Sequence, residues 1–361
     1  MIIKTYTKNE LREFIDSDFY AILSKVPISH HRAISQIHNP VISDDDILLW
    51  VAYENAAVMG YIGVLPDRWI TPEQQCDIRW LSCFWVDEKH RKGNVASMLM
   101  MSVLRAHRHH LMISNFLFAL EDEYSKMGIF HPVVYKQGFD YYIRARFTKL
   151  IVSKYPVLSK VEKLIQSTEA LVNQVFSFWK WLHPRLQVSP NIRTDQRFDE
   201  DLDRFLMNYT LEKKLNQRSA NYFKWIYEYR WVKEGKRDKQ SERYFFSSVS
   251  DRFTYIPVRI YDKQQLNGFA FLKIRDNALT VSFLYADDKY LKDMAAYIFN
   301  IAKTEQIDLI TCYDVRLCRF LQRQQSRFIL KRKRRQPYLF PLSLTCSVNA
   351  LQEGEGDSVF T

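Results

Sequence analysis

The sequence predicts an α/β (α+β) protein of two domains, and three observations predict it. Strand-like and helix-like periodicities alternate along the chain, one stretch from Trp80 to Met100 joins an apolar run to an amphipathic segment through a basic turn, and the second half repeats the first in coarse outline. The 361 residues suffice for two domains of ordinary size, and a hydrophobic content of 47% allows each a core.

Residues 2–5 read as a strand, and Thr7-Lys-Asn-Glu10 is a capping box that starts a helix running towards Leu23. A polar segment follows, then a hairpin in which Ile47 to Glu54 and Val58 to Leu65 flank Asn55-Ala-Ala. Trp80 to Val86 is short enough for a buried strand. Met98, Leu99, Met101, Val103 and Leu104 then recur at helical spacing, in a helix reaching about His110. A strand at Phe116 to Leu120, a short helix near Pro132 to Gln137 and a long strand from Tyr141 to Val152 complete the first half.

From Ser159 to Leu182 the apolar residues Val161, Leu164, Ile165, Val172, Val175, Trp179 and Leu182 keep a helical period that ends before Pro184. This reads as a linker helix packed between domains, and the polar residues 184–198 mark a boundary. Helices near 199–213 and 219–232 lead to strands at Arg243 to Val249, Thr254 to Tyr261, Phe269 to Ile274 and Leu279 to Tyr285. A helix from Tyr290 to about Lys303, a strand at Asp308 to Tyr313, a short helix and a final strand end the chain.

A net charge of +11 and a pI near 9.2 favour anionic partners: a phosphate-bearing ligand, nucleic acid or an acidic membrane surface. Cys76, Cys83, Cys312, Cys318 and Cys346 are odd in number and form no CxxC pair, which argues against a disulfide framework and a zinc site and for a reducing cytoplasm. The N-terminus lacks an apolar signal core, and the longest apolar stretches, such as Ile47 to Tyr53, are too short to span a bilayer. The run Lys331 to Arg335 sits in a strand-like segment without a recognition helix, zinc motif or stacking motif, so it reads as a solvated strand edge. Arg105-Ala-His107-Arg-His109-His110 reads as the cationic end of a helix and not as a metal site.

The turn between Val86 and Met98 is a helix N-terminus, whose N–H groups have no partner inside the helix and form a natural seat for phosphate. Its residues, Val86-x-x-x-x-Arg91-Lys92-Gly93-Asn94-Val95-Ala96, resemble the acyl-CoA signature of the GNAT superfamily of N-acetyltransferases: Arg or Gln, two residues, Gly, one residue, then Gly or Ala. Arg91 and Ala96 fit the ends of that signature. Asn94 holds the central glycine position as one of the few residues that accept left-handed angles, Gly93 sits one place early, and Glu88 replaces the usual proline. The order of elements is also that of the GNAT fold, so the resemblance implies two domains, each with a mixed, mostly antiparallel central sheet flanked by helices. Tyr135 with Gly138-Phe139 is similar to the tyrosine and Gly-Phe pair that close such a domain, although Tyr135 stands three places before the glycine instead of four.

The second half looks like a divergent GNAT domain in which Ala286-Asp287-Asp288-Lys289-Tyr290 replaces the phosphate turn. Two carboxylates there would repel a pyrophosphate. The implied division is a catalytic domain over 1–155, a linker over 156–198 and a coenzyme-free partner domain over 199–361.

What the resemblance implies is an N-acetyltransferase with acetyl-CoA as co-substrate, a primary amine such as an amino sugar or another small amine as acceptor, and no metal. Backbone groups of Phe84, Trp85 and Val86 would meet the pantetheine arm and thioester carbonyl. Arg91, Lys92, Gly93, Asn94, Val95, Ala96 and Ser97 would hold the pyrophosphate. Tyr135 is the candidate acid, with Tyr124 its rival, and Glu121 the candidate base, with Glu123 and Asp87 as alternatives. The competing reading is a non-catalytic binding or scaffold protein that keeps the fold, and a weaker one is a basic nucleic-acid-binding protein.

Overall fold

The computed structural model describes residues 1–145, 148, 155–181, 187–323, 327–345 and 347–361. Along the chain run β1 (Ile2–Thr7), α1 (Lys8–Ile15), α2 (Asp18–Ile22), α3 (His30–Ile37), β2 (Ile47–Glu54), β3 (Ala57–Ile70), β4 (Gln75–Val86), α4 (Val95–His107), β5 (Leu111–Ser114), α5 (Glu121–Lys126) and β6 (Val134–Tyr142). There follow α6 (Glu162–Trp181), β7 (Ile192–Thr194), α7 (Glu200–Lys213), α8 (Ala220–Glu228), β8 (Lys233–Glu234), β9 (Val249–Ser250), β10 (Phe253–Asp262), β11 (Gln265–Arg275), β12 (Ala278–Ala286), α9 (Asp288–Thr304), β13 (Leu309–Cys312), α10 (Val315–Gln322) and β14 (Leu330–Leu339).

These elements form two compact units, each discontinuous in sequence. Unit 1 holds Met1–Lys136, Arg197–Phe253 and Gln336–Thr361; unit 2 holds Gln137–Gln196 and Thr254–Arg335. The compact units are therefore interleaved along the chain.

In unit 1 the strand order is β1-β2-β3-β4-β5-β14. The first four strands pair antiparallel, β5 joins β4 in parallel, and the end of β14 closes antiparallel on β5 through Tyr338↔Ser114 and Leu339↔Ile113. The capping box is formed: the Glu10 carboxylate accepts from the Thr7 backbone at 2.8 Å and Thr7 Oγ1 accepts from the Glu10 N–H. Asn55 and Ala56 both take left-handed angles, φ 48 and 64, as a two-residue hairpin turn with the native twist requires. One core lies between the sheet and α1–α3 and includes Leu11, Phe14, Ala33, Ile37, Tyr61 and Trp85; a second lies under α4 and includes Ile62, Val64, Leu99 and Val103. Buried charges tie in the distant pieces of unit 1: Arg218 donates to the two Asp67 oxygens at 2.5 and 2.7 Å and also to Glu355.

In unit 2 the order is β7-β10-β11-β12-β13-β6, with β12 and β13 parallel and β6 closing antiparallel on β13 through Phe139↔Cys312 to Tyr142↔Leu309. Its core gathers Val258, Leu272, Val281, Leu291, Ile298 and Ile310.

Several local expectations are corrected. The segment before the first hairpin contains α3, and the expected helix near Pro132 to Gln137 is instead the start of strand β6. Strand β-propensity explains the second change, because Val, Tyr and Phe suit a pleated surface better than a helix. The fifth strand lies at Leu111–Ser114, not at Phe116 to Leu120, and Asn115 with φ 54 ends it. Instead of a strand at Arg243 to Val249 there is a single turn at Ser241–Arg243 and the two-residue β9. The strand expected from Tyr141 ends at Tyr142, and 149–152 lie outside the described residues, as do Leu182, Pro184 and Cys346. On α6, Leu164 and Val175 are more than half exposed.

Candidate active site

Strand β4 leaves its neighbour early. It pairs with β5 only through Arg79↔Leu111, Trp80↔Met112 and Leu81↔Ile113, and then continues to Val86 while β5 stops at Ser114. The edge of β4 beyond Leu81 is thereby opened towards β5. Across from it the register with β3 jumps from Tyr61↔Trp85 to Gly63↔Ser82, so that Cys83 and Phe84 together face Ile62: a β-bulge. Cys83 takes φ 56, the left-handed region that costs a non-glycine residue about 1–3 kcal/mol and that clusters at functional sites. Both glycines of β3 beside the bulge are required by close approach. A Cβ on Gly60 would stand 2.9 Å from the Trp85 carbonyl oxygen, and one on Gly63 would stand 2.9 Å from the Ser82 carbonyl oxygen and 3.0 Å from Arg32 Nη2.

At the end of β4 the chain makes a single turn at Glu88–His90 and enters α4 at Val95. Arg91, Lys92, Gly93 and Asn94 are all exposed. Asn94 is the N-cap residue, but its side chain makes no cap hydrogen bond, and the helix's own bonding begins with Met98 N–H on the Asn94 carbonyl at 2.9 Å. The N–H groups of Val95, Ala96 and Ser97 therefore have no partner within α4. Asn94 has φ −86 and ψ 3, and Gly93 is not among the residues with positive φ, so this turn does not use the left-handed angle expected of Asn94. Arg91 reaches back, donating from Nε to the Val86 carbonyl at 3.3 Å, with an exposed ion pair to Glu88 at 3.5 Å.

The two candidate catalytic side chains are brought together. Tyr135, the second residue of β6, donates its hydroxyl hydrogen bond to the Glu121 carboxylate at the start of α5. Both are partly buried, and the Phe118 ring lies 6.0 Å from that of Tyr135. The rivals are placed differently. Tyr124 is a core residue between the rings of Phe116 and Phe130, and burial pushes its hydroxyl up to about 12. Asp87 accepts from Lys25 Nζ at 2.6 Å and from the Lys89 N–H, and these two bonds hold its carboxyl below the usual range. Glu123 is spent in an exposed pair with Lys126 at 3.2 Å.

Sequence reasoning missed a polar cluster on the other face of the bulge. Arg32 of α3, 2% exposed, donates to Cys83 Sγ, to the Tyr244 hydroxyl at 2.6 Å and to Ser82 Oγ at 3.0 Å, and its guanidinium lies 4.1 Å from the centre of the Trp231 ring. The Ser82 hydroxyl in turn donates to Asp357 at 2.5 Å. Tyr244 arrives because Arg243 anchors its segment on the carbonyls of Leu23 and Tyr20, at 2.8 and 2.7 Å. The bulge that assembles this group is a matter of strand register, which leaves no mark in local sequence.

Residues 9–126 match the sequence model of the acetyltransferase (GNAT) family. No curated protein is similar to the chain in sequence. Among solved structures, a probable N-acyltransferase of unknown function from Enterococcus faecalis is similar over 95% of this chain and 73% of its own, with a TM-score of 0.53 and 10% identity. The N-myristoyltransferase of Saccharomyces cerevisiae, solved with myristoyl-CoA bound, is similar over 94% of this chain and 82% of its own, with a TM-score of 0.51 and 10% identity. A GCN5-related N-acetyltransferase from Anabaena variabilis is similar over 93% and 72%, with a TM-score of 0.50 and 10% identity. Likeness at this identity speaks for the fold. Among the described residues no helix is long and apolar enough to cross a membrane. With the opened β4 edge running into an uncapped helix N-terminus on a mixed, largely antiparallel sheet, residues 9–126 are a domain of the GNAT acetyltransferase family.

Proposed function

We propose that the chain is an acyl-CoA-dependent N-acyltransferase, most simply a cytoplasmic N-acetyltransferase that moves an acetyl group from acetyl-CoA to the primary amine of a small acceptor such as an amino sugar, and that unit 1 carries the chemistry. The observation that supports it is continuity: an unpaired, bulged strand edge leads within a few residues to an exposed basic turn and to helix N–H groups without partners. The backbone of Phe84, Trp85 and Val86 supplies an edge for the pantetheine arm and the thioester carbonyl. The N–H groups of Val95, Ala96 and Ser97, with Lys92, Gly93 and Asn94 before them, receive the pyrophosphate at the positive pole of the helix, and Arg91 adds charge while bracing the turn against Val86.

In the simplest route the neutral amine attacks the thioester carbonyl, the carbon–sulfur bond breaks, and the coenzyme leaves as a thiolate. Glu121 takes the amine's proton and Tyr135 protonates the thiolate. The hydrogen bond between them then returns the proton from Glu121 to Tyr135 and resets the pair. Unit 2, with Asp287 and Asp288 where the basic turn stands in unit 1, holds no coenzyme in this reading.

Thermal shift with a series of acyl-CoAs, running from acetyl to the myristoyl length carried by the yeast neighbour, tests the reading. A ligand binding only the folded form adds about 2.7 kcal/mol at a hundredfold excess over its dissociation constant. Absence of a shift with every acyl-CoA overturns the proposal, and a shift without transfer to any amine in a broad panel leaves a coenzyme-binding protein without catalysis.

A further inference from the structure

We propose that unit 2 docks on an anionic lipid surface through α6, whose outer apolar stripe enters the headgroup layer while the net positive charge of the unit draws it there. The proposal rests on unit 2 alone and stands apart from the acyl-CoA reading of unit 1.

The first argument is an apolar stripe that the fold holds outward. On α6, Leu164, Leu171 and Val175 are 68%, 61% and 59% exposed, and Val157 and Val161 on the turn before it are exposed as well. Steps of seven and four residues put the three helix residues on one side. The opposite side is anchored. Asn173 donates to the Ala145 carbonyl at 2.9 Å and accepts from the Ala145 N–H at 2.8 Å, and the Glu169 carboxylate accepts from the Thr148 N–H and hydroxyl at 2.8 and 2.6 Å. Glu169 and Asn173 each stand two residues from Leu171, about 200° of rotation away. These bonds fix which side of the helix faces out, and a contiguous exposed apolar stripe marks an interaction surface.

The second argument is where the charge lies. Over the ranges of unit 2 the sequence has 25 Lys and Arg against 12 Asp and Glu, a net of +13, whereas unit 1 has 27 against 29, a net of −2, which together make the +11 of the chain. Lys160 and Lys163, both exposed, directly precede Val161 and Leu164 of the stripe. The exposed run Lys331 to Arg335 of β14 adds to the charge of the same unit. The glutamates of α6 lie away from the stripe: Glu169 is turned to Thr148, and Glu162, seven residues earlier, shares its side. Apolar side chains flanked by cations, on a unit with excess positive charge, suit acyl chains lying under anionic headgroups.

Two other occupants meet less of this. The spacing of four and three from Val157 through Val161, Leu164, Thr168 and Leu171 to Val175 is also that of a two-helix seam, with β-branched residues and leucines in the places a parallel pair prefers. A second copy, however, brings the same patch and the same charge against themselves, so that Lys160 and Lys163 face like charge. A nucleic acid answers the charge and leaves the stripe in water. An anionic bilayer meets both.

Flotation of the full chain with unilamellar vesicles, of phosphatidylcholine alone or with about 30% phosphatidylglycerol, tests this. At about 0.1 M salt the anionic vesicles should bind at least about tenfold more tightly, and the difference should shrink at about 0.5 M as the Debye length shortens. Leu164→Ser with Leu171→Ser and Val175→Ser, all at exposed positions, should weaken binding by about tenfold or more, and Lys160→Gln with Lys163→Gln by a smaller factor. Val315→Ser, exposed on α10, should leave it unchanged. Because a variant can disturb folding, hydrogen exchange of the unaltered chain is the independent reading: peptides covering Leu164 to Val175 should gain protection with the anionic vesicles and not with phosphatidylcholine alone. Acyl-CoA titration of the serine variant should match its parent, so the two readings fail separately. Absence of binding to anionic vesicles, or equal binding by the serine variant and its parent, overturns the proposal. So does a dimer in sedimentation equilibrium that the serine variant dissolves, which would give the stripe to a second copy, and so does protection of those peptides by a DNA duplex and not by the vesicles.

Discussion

Each unit contains a strand that pairs in parallel with its neighbour for three residues, bulges, and then feeds a helix, and the two versions end differently. In unit 1 the bulge carries Cys83 with φ 56, partly exposed, and the strand leads to the exposed Arg91–Asn94 turn. In unit 2 β12 pairs with β13 from Ala278 to Thr280, and the register then jumps between Phe271↔Phe283 and Leu272↔Val281, which leaves Ser282 as the extra residue. Ser282 is fully buried, its hydroxyl has no partner among the described residues, and it does not take a positive φ. The α9 N-terminus that follows is occupied by the protein's own charges: Arg316 donates to the Ala286 carbonyl at 3.1 Å and pairs with Asp288 at 3.4 Å and Asp314 at 2.9 Å. One geometry is thus open, cationic and strained, and the other is closed, internally neutralised and relaxed. The same backbone plan becomes a candidate site only where its ends are left without partners.

The largest expected effect lies on the open side. Tyr135→Phe keeps the ring beside Phe118 and removes the proton, so turnover should fall by about 10²–10⁴ while acyl-CoA affinity and stability barely change. Single-turnover acetylation of an accepted amine measures it. Should the variant match its parent, the acid is a bound water, since Tyr124 is enclosed in the core.

Next is the charge contrast between the two turns. Arg91→Glu places an anion at the phosphate seat and breaks the brace on Val86, costing about 1.5–3 kcal/mol of acyl-CoA binding, roughly ten- to a hundredfold. Asp288→Ala at the corresponding place in unit 2 should change binding little. Isothermal titration giving the reverse ranking would put the coenzyme in unit 2.

Close-packed glycines of the two units should respond unequally to an added methyl group. Gly63→Ala drives a Cβ against the Ser82 backbone carbonyl and the Arg32 guanidinium, for a loss of about 1–3 kcal/mol. Gly268→Ala in unit 2 meets only the Ile260 side chain, at 2.7 Å, which can shift, so its loss should be smaller. Urea midpoints of the two variants compare them directly, and equal losses would mean that the backbone at the unit 1 bulge yields as readily as the Ile260 side chain.

Much of this contrast was legible in the sequence. The turn residues Arg91 to Ser97 and Asp287-Asp288 read directly as cationic and anionic helix starts, because end charges need no long-range information. Helix α3 was not legible, and the reason is physical: its buried face carries Arg32, Ser35 and Gln36, at 2%, 0% and 0% exposure, where periodicity looks for apolar residues. The Trp225 and Trp231 indoles, which bond to Ser35, come from nearly two hundred residues away. The closing strands were equally hidden. Val134 to Tyr142 follows the first half in sequence, yet β6 pairs with β13 in unit 2, and the end of β14 pairs with β5 in unit 1; pairing at that separation has no local signature. The bulge at Cys83 is set by the same register and is visible only in the folded sheet.

The smallest expected effect concerns acid. Burial, with the backbone carbonyl of Trp231 opposing it, holds His31 down to about 4, and burial followed by the charge of Arg79 holds His107 down to about 4, against an ordinary 6.5. Both belong to unit 1, whereas the only histidine in the sequence range of unit 2 is His183, outside the described residues. A group whose folded pKa is depressed is neutral in the fold, while the unfolded chain binds its proton first. Its stabilisation is therefore complete above pH 6.5 and declines as pH falls from about 6.5 towards about 4, by on the order of 2 kcal/mol for each histidine after allowance for partial exposure. Hydrogen exchange measured peptide by peptide at pH 7 and pH 5, corrected for intrinsic rates, should show unit 1 losing protection ahead of unit 2. His107→Leu keeps an apolar contact against Trp50 and should flatten part of that loss. Parallel loss of protection in both units would mean that the acid sensitivity is shared, and that the two units do not differ in the polar groups they bury as they do in the turns they expose.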